Sequence, residues 1–231
     1  MERTSRRWRR RRALLLILGI GAIIAWSVAA GAEQKPGLAI LPFFIQKGED
    51  PARGAVCPLC KGLHQSGSIL PGSQNTMTRL LYEKMEAMGT FNIVPLEKVQ
   101  GGLSPANQGQ FDQKPIPSSV LFGKELNVDF VFLGYLFRFE ERRGSPLGVD
   151  KPASVGFDLH LVRVRDSKVV WTGKFDETQR PLSDDLLKIG SFFRRGAKWL
   201  TAEELASAGM GDVLRELPGA KELEELKGNA N

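Results

Sequence analysis

Phe130-Val131-Phe132-Leu133-Gly134-Tyr135-Leu136-Phe137 is apolar on both alternations, a pattern that a strand tolerates only when both of its faces are covered. This stretch predicts the central strand of a sheet. Upstream, Leu38-Ala39-Ile40-Leu41-Pro42-Phe43-Phe44-Ile45 is a second, almost continuous apolar run, with Pro42 placing a strand end or a bulge inside it. Thr76–Met88 has Met77, Leu80, Leu81 and Met88 on one side and Arg79, Glu83, Lys84 and Glu86 on the other, the pattern of an amphipathic helix that Gly89 ends. Phe91–Pro95 reads as a further strand, and about Ser118 to Leu126 as a short helix.

Downstream, Ala153–Arg165 alternates. Val155, Phe157, Leu159 and Leu161 point one way and Asp158 and His160 the other, which predicts a half-buried antiparallel strand. Arg165–Lys168 is a tight turn, and Val169, Trp171 and Phe175 form the core face of the hairpin partner. The last third is helical. Ser183 or Asp184 caps a helix carrying Leu186, Leu187, Ile189, Phe192 and Phe193, and Thr201 with Glu204 forms a capping box opening another. The order β-α-β-α-β-β-β followed by helices predicts an α/β (α+β) domain with a mixed sheet. It occupies residues 33–218, with a core at 38–179, a helical extension at 183–218 and a flexible tail at 219–231.

The amino terminus gives a location. Seven arginines and one glutamate precede an uncharged segment, 13–32, whose apolar body is Ala13, Leu14, Leu15, Leu16, Ile17, Leu18, Ile20, Ile23, Ile24 and Trp26. A basic start, an apolar stretch and small residues at Ala30 and Ala32 are the layout of a secretory signal peptide cleaved after Ala32. The 20 residues from Ala13 to Ala32, at about 1.5 Å each, are also just long enough for an uncleaved transmembrane helix anchoring the body at the inner membrane. Either way the body is expected in the periplasm or cell envelope of a bacterium. The leader accounts for the whole net charge of +6: removing its seven Arg from 32 basic residues and its one Glu from 26 acidic residues leaves 25 of each sign. The folded part therefore lacks the basic excess that nucleic-acid binding requires.

Several of these segments resemble, in order, a group of bacterial envelope proteins. Leu38–Phe43 is similar to the "IAVLPF" opening strand of CsgG-like proteins, LpoB-like proteins and the TolB N-terminal domain, Phe91–Pro95 to their second strand, Phe122–Tyr135 to "lg-x-x-l-g-a-D-y-v-i-x-G", and Phe157–Trp171 to their β-hairpin. The resemblance spans roughly Leu38 to Gln179 and implies a TolB-N-terminal-like fold with an accessory, non-catalytic envelope role. The chain lacks the lipoprotein cysteine after the leader and the amphipathic spanning hairpins of a secretion pore.

Cys57-Pro58-Leu59-Cys60 is the sharpest local motif. In an oxidising compartment a Cys57–Cys60 disulfide is the simplest reading. Cys57, Cys60 and His64 also make three ligands for zinc, with a fourth missing, since the only other histidine is His160. Thiol–disulfide exchange is the third reading, against which the glycines and serines following the motif argue, because redox CxxC motifs usually open a helix. Asp158 and His160 read as solvated residues on a polar strand face. No hydrolase, metalloprotease or phosphate-loop motif is present. The expected function is that of an exported, non-enzymatic envelope accessory or assembly factor without a required cofactor. It would act on an envelope protein partner through the loops Gln46–Asn75 and Gln100–Pro117. The alternatives are a Cys57/Cys60 metal or redox protein and a homo-oligomeric secretion component.

Overall fold

The computed structural model describes residues 35–48, 53–103, 109–111, 113–145, 148–179 and 199–225. The leader with its cleavage and anchor residues, the helix expected from Ser183 and the last six residues lie outside them. Among the described residues no helix is long and apolar enough to cross a membrane.

The apolar run at Leu38 forms β1 (Gly37–Ile40), which breaks at Pro42 and resumes as β2 (Phe44–Ile45). The break has a partner. Phe43 N–H leaves the ladder and donates to Thr78 Oγ1 at 3.0 Å, so the donor beside the proline is satisfied by a helix. The central strand is β6 (Phe130–Glu140), following the short strands β3 (Ala55–Val56), β4 (Leu63–His64) and β5 (Asn92–Ile93). β6 lies parallel to β1 and β2 on one side and antiparallel to β9 (Ser154–Arg163) on the other. A minor ribbon of β7 (Arg143–Gly144) and β8 (Val149–Lys151) comes between them in sequence. With β10 (Lys168–Thr178) the sheet order is β10-β9-β6-β1-β5, a mixed α+β architecture as the sequence order implies.

Two layers cover the sheet. One holds α1 (Ser73–Met88) and α4 (Ala202–Leu214), whose Met77, Leu80, Leu81, Met85, Leu205 and Met210 pack on Phe132, Phe157 and Phe175. Burying each such side chain stabilises the fold by about 1.5–3 kcal/mol relative to exposure. The other holds α2 (Leu96–Gly102), α3 (Pro115–Glu125) and the β3–β4 hairpin, with Val99, Val120, Phe122, Ala55 and Cys57 on Val131, Leu133 and Tyr135. Gly89 ends α1 with φ 64°, a left-handed conformation that glycine adopts without steric cost.

Two expectations change. β9 is buried along its whole length rather than on one face, because the β3–β4 hairpin, read as open loop, covers the side carrying Asp158 and His160. The tail is helical over α5 (Ala220–Glu225), where Leu223 is fully buried and its carbonyl accepts from Arg163 Nη1 at 2.7 Å.

A Cβ at Gly134 would lie 2.6 Å from the Phe43 ring. Gly134→Ala is expected to lower stability by about 1–3 kcal/mol, measured by chemical denaturation. Thr201 accepts from Glu204 N–H at 3.1 Å while Glu204 Oε2 accepts from Thr201 N–H at 2.9 Å. Thr201→Ala removes half of this box and is expected to cost about 1 kcal/mol in the same measurement.

Candidate functional site

The residues of the CxxC motif sit in the turn of the β3–β4 hairpin. Ala55 pairs with His64, Cys57 N–H donates to Gly62 C=O at 2.9 Å, and Lys61 takes the left-handed region at φ 58° to close the turn. The tight turn directs both cysteines inward, with Cys57 fully buried and Cys60 partly so. Both are free thiols, so the expected Cys57–Cys60 disulfide is not formed in this structure. Each thiol instead meets a residue of β9: Cys57 Sγ is 3.2 Å from His160 Nε2, and Cys60 Sγ is 3.4 Å from Asp158 Oδ2.

Asp158 and His160, two residues apart on one strand, share a face by strand periodicity. Their cross-strand neighbours extend that face over three strands. Leu133, His160 and Thr172 form one row, Tyr135, Asp158 and Lys174 the next, and Arg138, Gly156 and Asp176 the third. Lys174 Nζ donates to Leu63 C=O at 2.7 Å and Arg138 Nη1 to Gln65 C=O at 2.7 Å, which ties the hairpin down onto these rows. Asp158 and His160, read from sequence as solvated, are both 0 % exposed.

A bulge in β6 completes the site. Register shifts between Leu136 and Arg138, so Phe137 and Arg138 both face the hairpin. Phe137 stacks on His64 with ring centroids 3.9 Å apart, and Arg138 Nη2 pairs with Asp176 Oδ1 at 2.6 Å. His64 lies between two carboxylates, Nε2 at 2.8 Å from Asp158 Oδ2 and Nδ1 at 3.5 Å from Asp176 Oδ2. Asp158 Oδ1 has no hydrogen-bond partner among the described residues, although it is fully buried.

The electrostatics follow from that geometry. Burial pulls the His64 imidazole down, but hydrogen bonding to Asp158 and Asp176 outweighs it and holds His64 above its ordinary value. Burial pushes the Asp176 carboxyl up, yet the bonds from His64 and Arg138 prevail and bring it to about 2. Burial dominates at His160 and pushes it down to about 4, leaving a neutral imidazole whose Nδ1 faces Thr172 Oγ1 at 3.2 Å. Burial also pushes the Cys57 thiol well up. A thiol-exchange nucleophile requires the opposite, a thiolate favoured by its surroundings, so the arrangement argues against redox catalysis at Cys57.

The sequence-predicted trio is thus only partly assembled. Cys57 and Cys60 converge, and the group that could hold a metal is completed by Asp158 and His160, with these four donor atoms all within 4.8 Å of one another. His64 stands behind Asp158. Asp158-Leu159-His160 was the available signal, two chelating side chains at strand spacing. What hid it was the long-range pairing that sets a loop 98 residues upstream against it.

A second feature lies beside β2, on the other side of β6 from β9. It is an open groove of about 540 Å3, to which the segment Gln46–Asn75 contributes Gln74 and Asn75 from the first turn of α1, and Gln100–Pro117 contributes Gln100, Leu103 and Phe111. Phe44, Ile45, Leu103 and Phe111 line it, together with the amides of Gln74, Asn75 and Gln100, and among the described residues no charged side chain lines it.

No family model matches the chain, and no curated protein sequence does. Several solved structures resemble it. A PelC dodecamer from Paraburkholderia phytofirmans aligns at 13% identity over 78% of this chain and 84% of that one, with a TM-score of 0.44. The C-terminal domain of LpoB from Salmonella enterica aligns at 16% identity over 65% and 88%, TM-score 0.38. Lipoprotein GNA1162 from Neisseria meningitidis aligns at 11% identity over 70% and 98%, TM-score 0.39. LpoB is one of the three groups that the sequence resembles; the TolB and CsgG parts of that resemblance gain no support. TM-scores below 0.5 at such identities carry no argument about function, which rests on this chain's own residues.

Proposed function

We propose that this protein is an exported accessory or assembly factor of the bacterial cell envelope, acting through protein contacts rather than catalysis. One observation carries the reading: an open groove at β2 is lined, among the described residues, by apolar side chains and by the amides of Gln74, Asn75 and Gln100, with no charged side chain. Such a lining suits an apolar segment of a protein partner, with the amides free to meet its backbone. Cys57, Asp158 and His160, in the polar cluster under the hairpin, are buried, whereas the groove is open to solvent. The leader supports export, and the LpoB and lipoprotein likenesses are in keeping with an envelope setting.

Ile45 is 39 % exposed at the groove, which makes it a position for a photo-crosslinking residue. Crosslinking in living cells from position 45, followed by mass spectrometry of the envelope fraction, is expected to capture one envelope protein reproducibly. Leu103→Asp, in a chain that carries the crosslinker at position 45, is expected to abolish that adduct without lowering the amount of folded protein. Capture of no protein from the groove, or of this chain alone, would overturn the reading, the second outcome in favour of self-assembly.

A further inference from the structure

We propose that Cys57, Cys60, His160 and Asp158 together bind one zinc ion, which fastens the β3–β4 hairpin to the sheet. Nothing in this inference depends on the groove or on a partner.

The geometry comes first. With zinc–sulfur bonds near 2.3 Å and zinc–nitrogen or zinc–oxygen bonds near 2.0–2.2 Å, the donors of a tetrahedral site stand about 3.3–3.8 Å apart. Cys57 Sγ and His160 Nε2 are separated by 3.2 Å, Cys60 Sγ and Asp158 Oδ2 by 3.4 Å, and no pair among the four donors exceeds 4.8 Å. A small closure of a nearly formed shell therefore suffices. The second argument is the unpartnered oxygen. A buried carboxylate oxygen without a hydrogen-bond partner is costly, and Asp158 Oδ1 is in that condition. A cation within reach of Oδ1 relieves it, and Oδ2 keeps its contact with His64.

The surroundings are those of a metal site. Thr172 faces the rear nitrogen of His160, which holds the ring with Nε2 toward the cysteines. Gly62 N–H donates to Cys60 Sγ at 3.4 Å, the kind of bond that stabilises a coordinating thiolate. His64 Nε2 meets Asp158 Oδ2, the oxygen that also faces Cys60, at 2.8 Å, and His64 is itself fixed by Asp176 and by stacking on Phe137. Two sulfurs exclude calcium and magnesium, which prefer all-oxygen shells, and favour zinc. On binding, each cysteine releases its thiol proton to solvent and the thiolate forms the metal–sulfur bond. Four protein donors leave no open position, so the ion is structural.

The full chain, extracted from the envelope fraction, is reduced and stripped of metal with a chelator. It is then titrated with Zn2+ against a chromophoric competitor and, separately, with Co2+. The expected result is one equivalent of Zn2+ per chain and a Co2+ spectrum with thiolate charge-transfer and tetrahedral d–d bands. Cys57→Ser and His160→Ala are expected to lose this uptake. His64→Gln, which keeps all four ligands, is expected to bind one equivalent about 10- to 100-fold more weakly. A reduced wild-type chain, folded by circular dichroism, that takes up no stoichiometric zinc would overturn the proposal. So would full uptake by a folded His160→Ala variant, or an octahedral cobalt spectrum without thiolate bands.

Discussion

Strand β6 is hydrogen-bonded along both edges and covered on both faces, and the rest of the structure answers to that constraint. A strand so placed has no side toward water, which is why its residues are apolar on both alternations and why two separate layers must be recruited to cover it. α1 and α4 serve one face, and α2, α3 and the β3–β4 hairpin serve the other. The single bulge in β6 is where this uniformity ends, since it turns Phe137 and Arg138 to the same side and allows a charged group to enter an otherwise apolar strand.

Polar residues under the hairpin are possible because each finds a partner close by. Arg138 meets Asp176, His64 meets Asp158 and Asp176, and His160 meets Thr172 and Cys57. Burying these groups singly would cost several kcal/mol each, and burying them as a set reduces the cost by exchanging water for fixed partners. The set is also what orients the two thiols, because the hairpin has no apolar core of its own and is held by side chains rising from β6 and β10.

Fold class was legible in the sequence wherever local pattern decided the matter. The double apolar alternation of Phe130–Phe137, the amphipathic face of Thr76–Met88, the proline break at Pro42 and the Thr201–Glu204 box each act within a few residues. The site was only half legible. Cys57-Pro58-Leu59-Cys60 announces chelating or redox chemistry by its spacing, but His64 was assigned a place that geometry gives to His160. Alternation along β9 gives the two faces and cannot say what covers them. A strand with one polar face looks solvated until the segment that packs on it is known, and that segment lies about a hundred residues upstream, in what reads as a glycine-rich loop. Leu223 was missed for the same reason. Its neighbours are charged, and only the carbonyl bond to Arg163 and the apolar contact beneath it give the short helix α5 a place.

Leu200–Leu223 shares one core with Leu38 and Ile40, so that core is closed by parts of the chain more than 160 residues apart. A polypeptide that has only its first five-sixths available holds a sheet whose Phe157, Trp171 and Phe175 lack the cover of α4 and α5. That is a broad oily surface, and hairpins and sheets built from such distant pairings form slowly. The order in which the chain emerges thus differs from the order in which its core can close: the sheet comes first, and the side chains that seal one of its faces come last.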